Sequence, residues 1–145
     1  MGTLFIISGH GFFATGMKST IELIAGKQDN VYYVDFTVDD NDTTLKEKIV
    51  NIIEESKCKQ TLLICDLLGG TPFKVMAEIA NDKDNMEVVV GCNVGSIIEG
   101  ILTMGDLSIR EVAEQLVNTS KNSTLRFEKI AAEESIECDL YEDGI

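Results

Sequence analysis

Residues 3–16 read TLFIISGHGFFATG, and this stretch sets the reading of the whole chain. Thr3–Ile7 is a short unbroken apolar run, the pattern of a strand buried on both faces. It breaks into Ser8-Gly9-His10-Gly11, and His10 is the only histidine in 145 residues. Met17, Ile21 and Ile24 then recur at helical spacing, and Gly26 closes that helix. The same strand-then-helix unit repeats downstream. VYYVDF (31–36) is β-branched and aromatic, so a second strand. Leu45, Ile49, Ile52 and Ile53 form one face of a helix, with Thr44 and Glu47 at capping-box spacing. TLLICD (61–66) is a third buried strand, broken by LLGG. Thr71 suits an N-cap and Pro72 the first position of a helix running to about Ala80. MEVVVG (86–91) is a fourth strand. Helices are expected at about 96–104 and 108–118, the latter opened by Ser108 and Glu111, and TLRFEKI (124–130) as a late fifth strand. Strand and helix alternate throughout, which predicts a single α/β domain: an open, mostly parallel sheet with helices on both faces.

Composition agrees. Apolar residues make up 44% and charged residues 26%, as in an ordinary globular domain. No run approaches the roughly 20 apolar residues that cross a bilayer, and no basic region precedes the first apolar stretch, so a cytoplasmic location is expected. The net charge of −13 argues against nucleic acid, whose phosphates require a basic footprint, and against an anionic membrane surface. Part of that charge is local. Residues 131–145 carry Glu133, Glu134, Glu137, Asp139, Glu142 and Asp143 and no basic residue, and are read as a solvated acidic tail following a domain of residues 1–130. The four cysteines form no C-x-x-C pair and one histidine cannot complete a usual zinc site, so neither a disulfide framework, a metal nor a cofactor is expected. Cys65 and Cys92 read as small core residues.

In open parallel sheets, sites form beyond the carboxyl ends of the strands. Two features land there: Gly9-His10-Gly11 after the first strand, and Asp66 with LLGGTPF after the third. The flanking glycines permit positive φ and close backbone approach. A helix opening near Thr71 points unpaired N–H groups and a positive dipole end at the same place, an anion site. A carboxylate bonded to one ring nitrogen fixes the imidazole tautomer and frees the other nitrogen. That nitrogen can be a base or a nucleophile. A base would want a serine or cysteine to activate. No G-x-S-x-G elbow is present, and Ser8 and Cys65 are read as facing away from His10 and Asp66. A nucleophilic histidine would carry a phosphoryl group held by the helix start and the Thr71 hydroxyl. There is no Walker-type phosphate loop for ATP. Each signal alone has an ordinary structural reading: a loop histidine, turn glycines, an aspartate capping a turn.

Three motifs in register, GHGFFATG, DFTVDDND and DLLGGTPF, resemble the mannose-family IIA component of the bacterial sugar phosphotransferase system, over about residues 3–120. The resemblance implies a phosphohistidine carrier. His10 would take phosphate from the phosphocarrier HPr and pass it to the IIB component, serving the membrane IIC and IID components indirectly. It assigns Asp66 to the imidazole and Thr71 to the phosphoryl group, with Gly11, Gly69 and Gly70 around it. Leu67-Leu68 stands where some members carry Thr-Trp. The resemblance also implies a homodimer in which the C-terminal strand lies on the partner's sheet. The related subunit of dihydroxyacetone kinase, a flavodoxin-like binding module without phosphotransfer, and a histidine-dependent hydrolase are the rival readings. Since a site that receives phosphate cannot be ringed by carboxylates, the crevice at His10 is expected to be apolar, built from Phe12, Phe13, Leu67, Leu68 and Phe73.

Overall fold

Four parallel strands form the sheet in the order β2-β1-β3-β4. They are β1 (Thr3–His10), β2 (Val31–Phe36), β3 (Gln60–Cys65) and β4 (Met86–Val90) in a computed structural model that describes residues 2–131. Strand alternation splits the apolar runs between two cores. Phe5, Ile7, Leu62 and Ile64 face α1 (Phe13–Ala25), α4 (Val94–Thr103) and α5 (Ile109–Ser123). Leu4, Ile6, Leu63 and Cys65 face α2 (Asp42–Ser56) and α3 (Thr71–Ala80). The central strands are therefore apolar on both faces through Leu4–Ile7 and Leu62–Cys65. The side chains of Leu4, Phe5, Ile6, Ile7, Leu62 and Leu63 are fully buried. The expected α/β architecture is the one observed.

Topology places the site. The chain leaves β1 into α1 on one face of the sheet and leaves β3 into α3 on the other. β1 and β3 are neighbours, so their carboxyl ends flank a crevice where the connections diverge. His10 ends β1 and Asp66 follows β3 directly.

Several boundaries differ from the sequence expectation. β1 does not stop at Ile7 but runs to His10, because β2 continues beside it to pair Phe36 with His10. The capping box of α2 lies one turn earlier than expected. Asn41 Oδ1 accepts the Thr44 N–H at 2.9 Å and Thr44 Oγ1 accepts the Asn41 N–H at 2.9 Å. The N-cap of α3 is Gly70, not Thr71, which becomes the first helical residue. Ile24 is exposed, so the buried stripe of α1 rests on Ala14 and Ile21. The box at Ser108 and Glu111 forms as expected, and α5 extends to Ser123. Residues 124–130 form no strand. They have no ladder neighbour, and Leu125 and Phe127 are exposed. The acidic tail, Ala131 apart, lies outside the described residues.

The α4–α5 contact is tight. A Cβ added at Gly100 would sit 2.2 Å from Leu116 Cδ1 and 3.1 Å from its Cγ. Alanine gains up to about 1 kcal/mol over glycine within a helix. Overpacking against a fully buried leucine costs about 1–3 kcal/mol, and that effect wins. Gly100→Ala should therefore lower the midpoint of urea unfolding.

Candidate active site

The His10 ring is held by one carboxylate. Asp66 Oδ2 accepts the His10 backbone N–H at 2.9 Å and lies 2.8 Å from Nδ1. Its other oxygen accepts the Leu67 N–H at 2.9 Å. Burial alone would raise the Asp66 pKa. The His10 backbone bond, the ring bond and the Leu67 N–H outweigh it and hold the group below the ordinary carboxylate range. An ionised carboxylate only accepts, so Nδ1 carries the proton and donates. The lone pair is then on Nε2. The histidine side chain is 46% exposed and the aspartate 10%, so the carboxylate is shielded and the ring reaches solvent.

Two glycines give this pair its space. A Cβ at Gly9 would lie 2.7 Å from Asp66 Cβ and 2.6 Å from Phe13 Cδ2. A Cβ at Gly70 would lie 2.5 Å from His10 Cε1 and 2.9 Å from Nε2. The first glycine admits the carboxylate and the second brings the start of α3 against the ring. The close approach that the glycines flanking His10 were expected to permit is made at Gly9 by Asp66, within the protein. Gly11 has φ +59° and donates its N–H to Phe36 O at 2.7 Å, so it shapes the turn. Gly69 has φ +89°.

The start of α3 leaves its first N–H groups unpaired. Its first ordinary helical bond runs from Lys74 N to Gly70 O at 3.0 Å. Earlier N–H groups, those of Gly69, Gly70, Thr71 and Phe73, meet no protein acceptor among the described residues, and the first turn holds no acid. A groove of about 550 Å³ runs from Phe36 and Thr71 past Asn41, Lys46 and Lys74. Lys46 pairs with Glu78 at 3.7 Å, whereas Lys74 has no carboxylate within 4.0 Å among the described residues.

Some expected neighbours lie elsewhere. Phe12 and the pair Leu67-Leu68 follow the ends of β1 and β3 and are exposed. Phe73 instead packs against the core on the α3 face, and Phe13 packs against the other core with its ring edge beside Gly9. Ser8 does not face away from His10. Two residues apart on a strand, they share a face, but Ser8 is fully buried and reaches no substrate. Cys65 also meets Asp66, its thiol donating to Oδ1 at 3.5 Å. Burial, above all, pushes that thiol up to about 12, which removes it as a nucleophile. Sequence reasoning missed Asp35 and Phe36. The signal was present in the DFTVDDND motif at the end of β2, beside His10 in the sheet.

Residues 4–117 match the family model described as "PTS system fructose IIA component". The chain belongs to this family. Membership makes it a component of the phosphotransferase system of sugar transport, with a transferase-type role. The sorbose-specific EIIA component of Lacticaseibacillus casei is 32% identical over 126 residues, covering 86% of this chain and 91% of that protein. The mannose-specific EIIAB component of Escherichia coli K12 is 32% identical over 102 residues, covering 70% of this chain but only 32% of that longer protein. The crystal structure of phosphotransferase system component EIIA from Streptococcus agalactiae superposes with a TM-score of 0.77 at 26% identity, covering 87% of this chain and 98% of that one. No helix among the described residues of this IIA component is long and apolar enough to cross a membrane.

The depressed Asp66 pKa predicts a pH effect with a definite sign. A carboxylate whose folded pKa lies below its unfolded value, about 3.9, adds stability above that value. The contribution fades as pH falls through the lower, folded pKa. Asp66→Asn should therefore be less stable than the parent at neutral pH, and the gap should close in acid. Urea unfolding at neutral pH and at the acid edge of the folded range measures both; an unchanging gap would contradict the pairing.

Proposed function

We propose that the chain is a phosphohistidine carrier that accepts a phosphoryl group on His10 Nε2 from HPr and passes it to a IIB component. The observation that carries this reading is the Nδ1–Asp66 bond at 2.8 Å, which leaves Nε2 as the exposed lone pair. In the transfer, Nε2 attacks phosphorus and forms the new N–P bond. The donor's N–P bond breaks, and its electron pair returns to the donor ring. The reverse geometry delivers the group to IIB. Asp66 stabilises the positive character of the substituted ring. The N–H groups of Gly69, Gly70 and Thr71, with the Thr71 hydroxyl, receive the phosphoryl oxygens. Gly11 supports the turn that carries the histidine. The exposed Phe12, Leu67 and Leu68 form the apolar landing surface for both partners. The IIC and IID components are reached through IIB, and no cofactor takes part. We read the molecule as a cytoplasmic homodimer in which the exposed 124–130 segment of one copy adds to the other's sheet.

The test uses intact mass. Incubation with phosphoenolpyruvate, enzyme I and HPr should add one phosphoryl group that acid removes. An unchanged mass would favour a binding module, an acid-stable adduct a different acceptor, and turnover of a small ester a hydrolase. Phosphorylation that instead depends on a dihydroxyacetone kinase would transfer the chain to that system.

Asp66→Asn keeps the shape and removes the charge. It should slow transfer while His10 stays competent, by about 1–3 kcal/mol, the range for a hydrogen bond to a charged group. Single-turnover transfer from phosphorylated HPr reads this directly, and unaltered rates would give Asp66 another job. The net charge of −13 should steer basic partner surfaces. Stopped-flow transfer should slow as salt rises, since exposed charges are screened over roughly 8–10 Å at physiological ionic strength. A flat profile would leave the acidity without a part in recognition.

A further inference from the structure

His10 sits between two glycines that packing and φ both demand, so its own backbone supplies little stiffness. Its position must be held from outside. Asp66 holds the upstream side by accepting the His10 N–H. The downstream side is held by the last two residues of β2. Phe36 O accepts the Gly11 N–H at 2.7 Å, and the Phe36 ring meets the His10 ring edge-on, with centroids 6.0 Å apart at 87°. Asp35 reaches past them to α1. Its Oδ1 accepts the Thr15 N–H at 2.9 Å, and its Oδ2 accepts the Thr15 hydroxyl. α1 has no cap of its own. Its N-cap residue, Phe12, makes no side-chain bond, and its first turn contains no acid. A carboxylate borrowed from the neighbouring strand therefore both caps α1 and meets its positive dipole end.

We propose that Asp35 is a positioning residue for phosphoryl transfer, acting on His10 through the start of α1. This rests on His10 being the acceptor, as proposed above. Between β1 and α1 lie only Gly11 and Phe12. A shift of the first turn of α1 is passed directly to the imidazole and to exposed Phe12. Phe36 and Asp66 grip the ring from either side, but neither holds the helix that follows it. Asp35 is thus the anchor that fixes Nε2 relative to the N–H groups of α3.

The experiment compares Asp35→Ala, Asp35→Asn and Thr15→Val with the parent. Three measurements are made: urea unfolding, the histidine ring signals in 15N NMR, and single-turnover transfer from phosphorylated HPr. Asp35→Ala should broaden or split the Nδ1–H signal of His10. It should also slow transfer on the order of ten- to a hundredfold, the cost of small misplacements of a reacting group. Asp35→Asn keeps an acceptor for the Thr15 N–H and should recover most of both. Thr15→Val, which loses only the hydroxyl bond, should fall between. A folded Asp35→Ala that loses stability but keeps the parent's ring signals and transfer rate would reduce Asp35 to a helix cap and overturn the proposal. If Asp35→Ala does not fold, the other two variants decide by the same readouts. The ring signals need no phosphate donor. They therefore report on positioning even if the parent accepts no phosphate, which would be the failure of the carrier reading instead.

Discussion

His10→Gln should take up no phosphate from HPr and should still fold. Glutamine can present an N–H toward Asp66, so the carboxylate keeps a partner, and the main-chain bonds from residues 10 and 67 to Asp66 remain. The side chain at position 10 is half exposed, so no core is opened. The stability change should stay within about 1 kcal/mol, the net worth of one hydrogen bond. The chemical change is of another order. No other histidine exists in the chain to take over. Cys65 is buried with its thiol pushed up to about 12, and Ser8 is sealed beneath the strand end. Where enzyme nucleophiles have been removed, rates fall on the order of a millionfold. Intact mass alongside thermal unfolding separates the two effects.

Gly70→Ala should slow transfer sharply without touching the histidine. The new Cβ would lie 2.5 Å from His10 Cε1, well inside contact distance. Either the ring leaves its 2.8 Å bond to Asp66, or the first turn of α3 retreats and takes its N–H groups away from Nε2. Both outcomes separate the nucleophile from the groups that receive the phosphoryl oxygens. A displacement of this kind costs on the order of a hundredfold in rate, with about 1–3 kcal/mol of stability from overpacking. Gly16→Ala is the control. It lies in α1, and an added Cβ there meets nothing within 4 Å. If Gly70→Ala transferred phosphate as fast as Gly16→Ala, the close approach of α3 to the ring would have no functional meaning.

The fold was legible because strand burial is written in the local pattern. Apolar runs such as TLFII and TLLIC, too short for helices, carry the pattern of strands covered on both faces, and the helical stripes between them point to a parallel sheet. His10 and Asp66 were legible for the same reason: one ends a central strand and the other directly follows its neighbour. Asp35 and the true part played by Gly9 were not. Gly9 reads as a flexible neighbour of His10. Its need for space comes from Asp66, which arrives from 57 residues away across a strand pairing that the sequence does not state. Asp35 reads as one acid among 25, and only the β1–β2 register sets it beside the start of α1. The 124–130 segment failed as a strand for the converse reason. Its β-branched and aromatic composition is a local signal, while a strand exists only where a neighbour accepts its hydrogen bonds.

The most direct test of the carrier reading is the position of the phosphorus on the ring. Protein labelled with 15N is phosphorylated by phosphoenolpyruvate, enzyme I and HPr, and the histidine ring nitrogens are observed by NMR with phosphorus coupling. The hydrogen bond from Nδ1 to Asp66 predicts that phosphorus couples to Nε2 of His10 while Nδ1 keeps its proton. Coupling to Nδ1, or a phosphoryl group on any other residue, would contradict it.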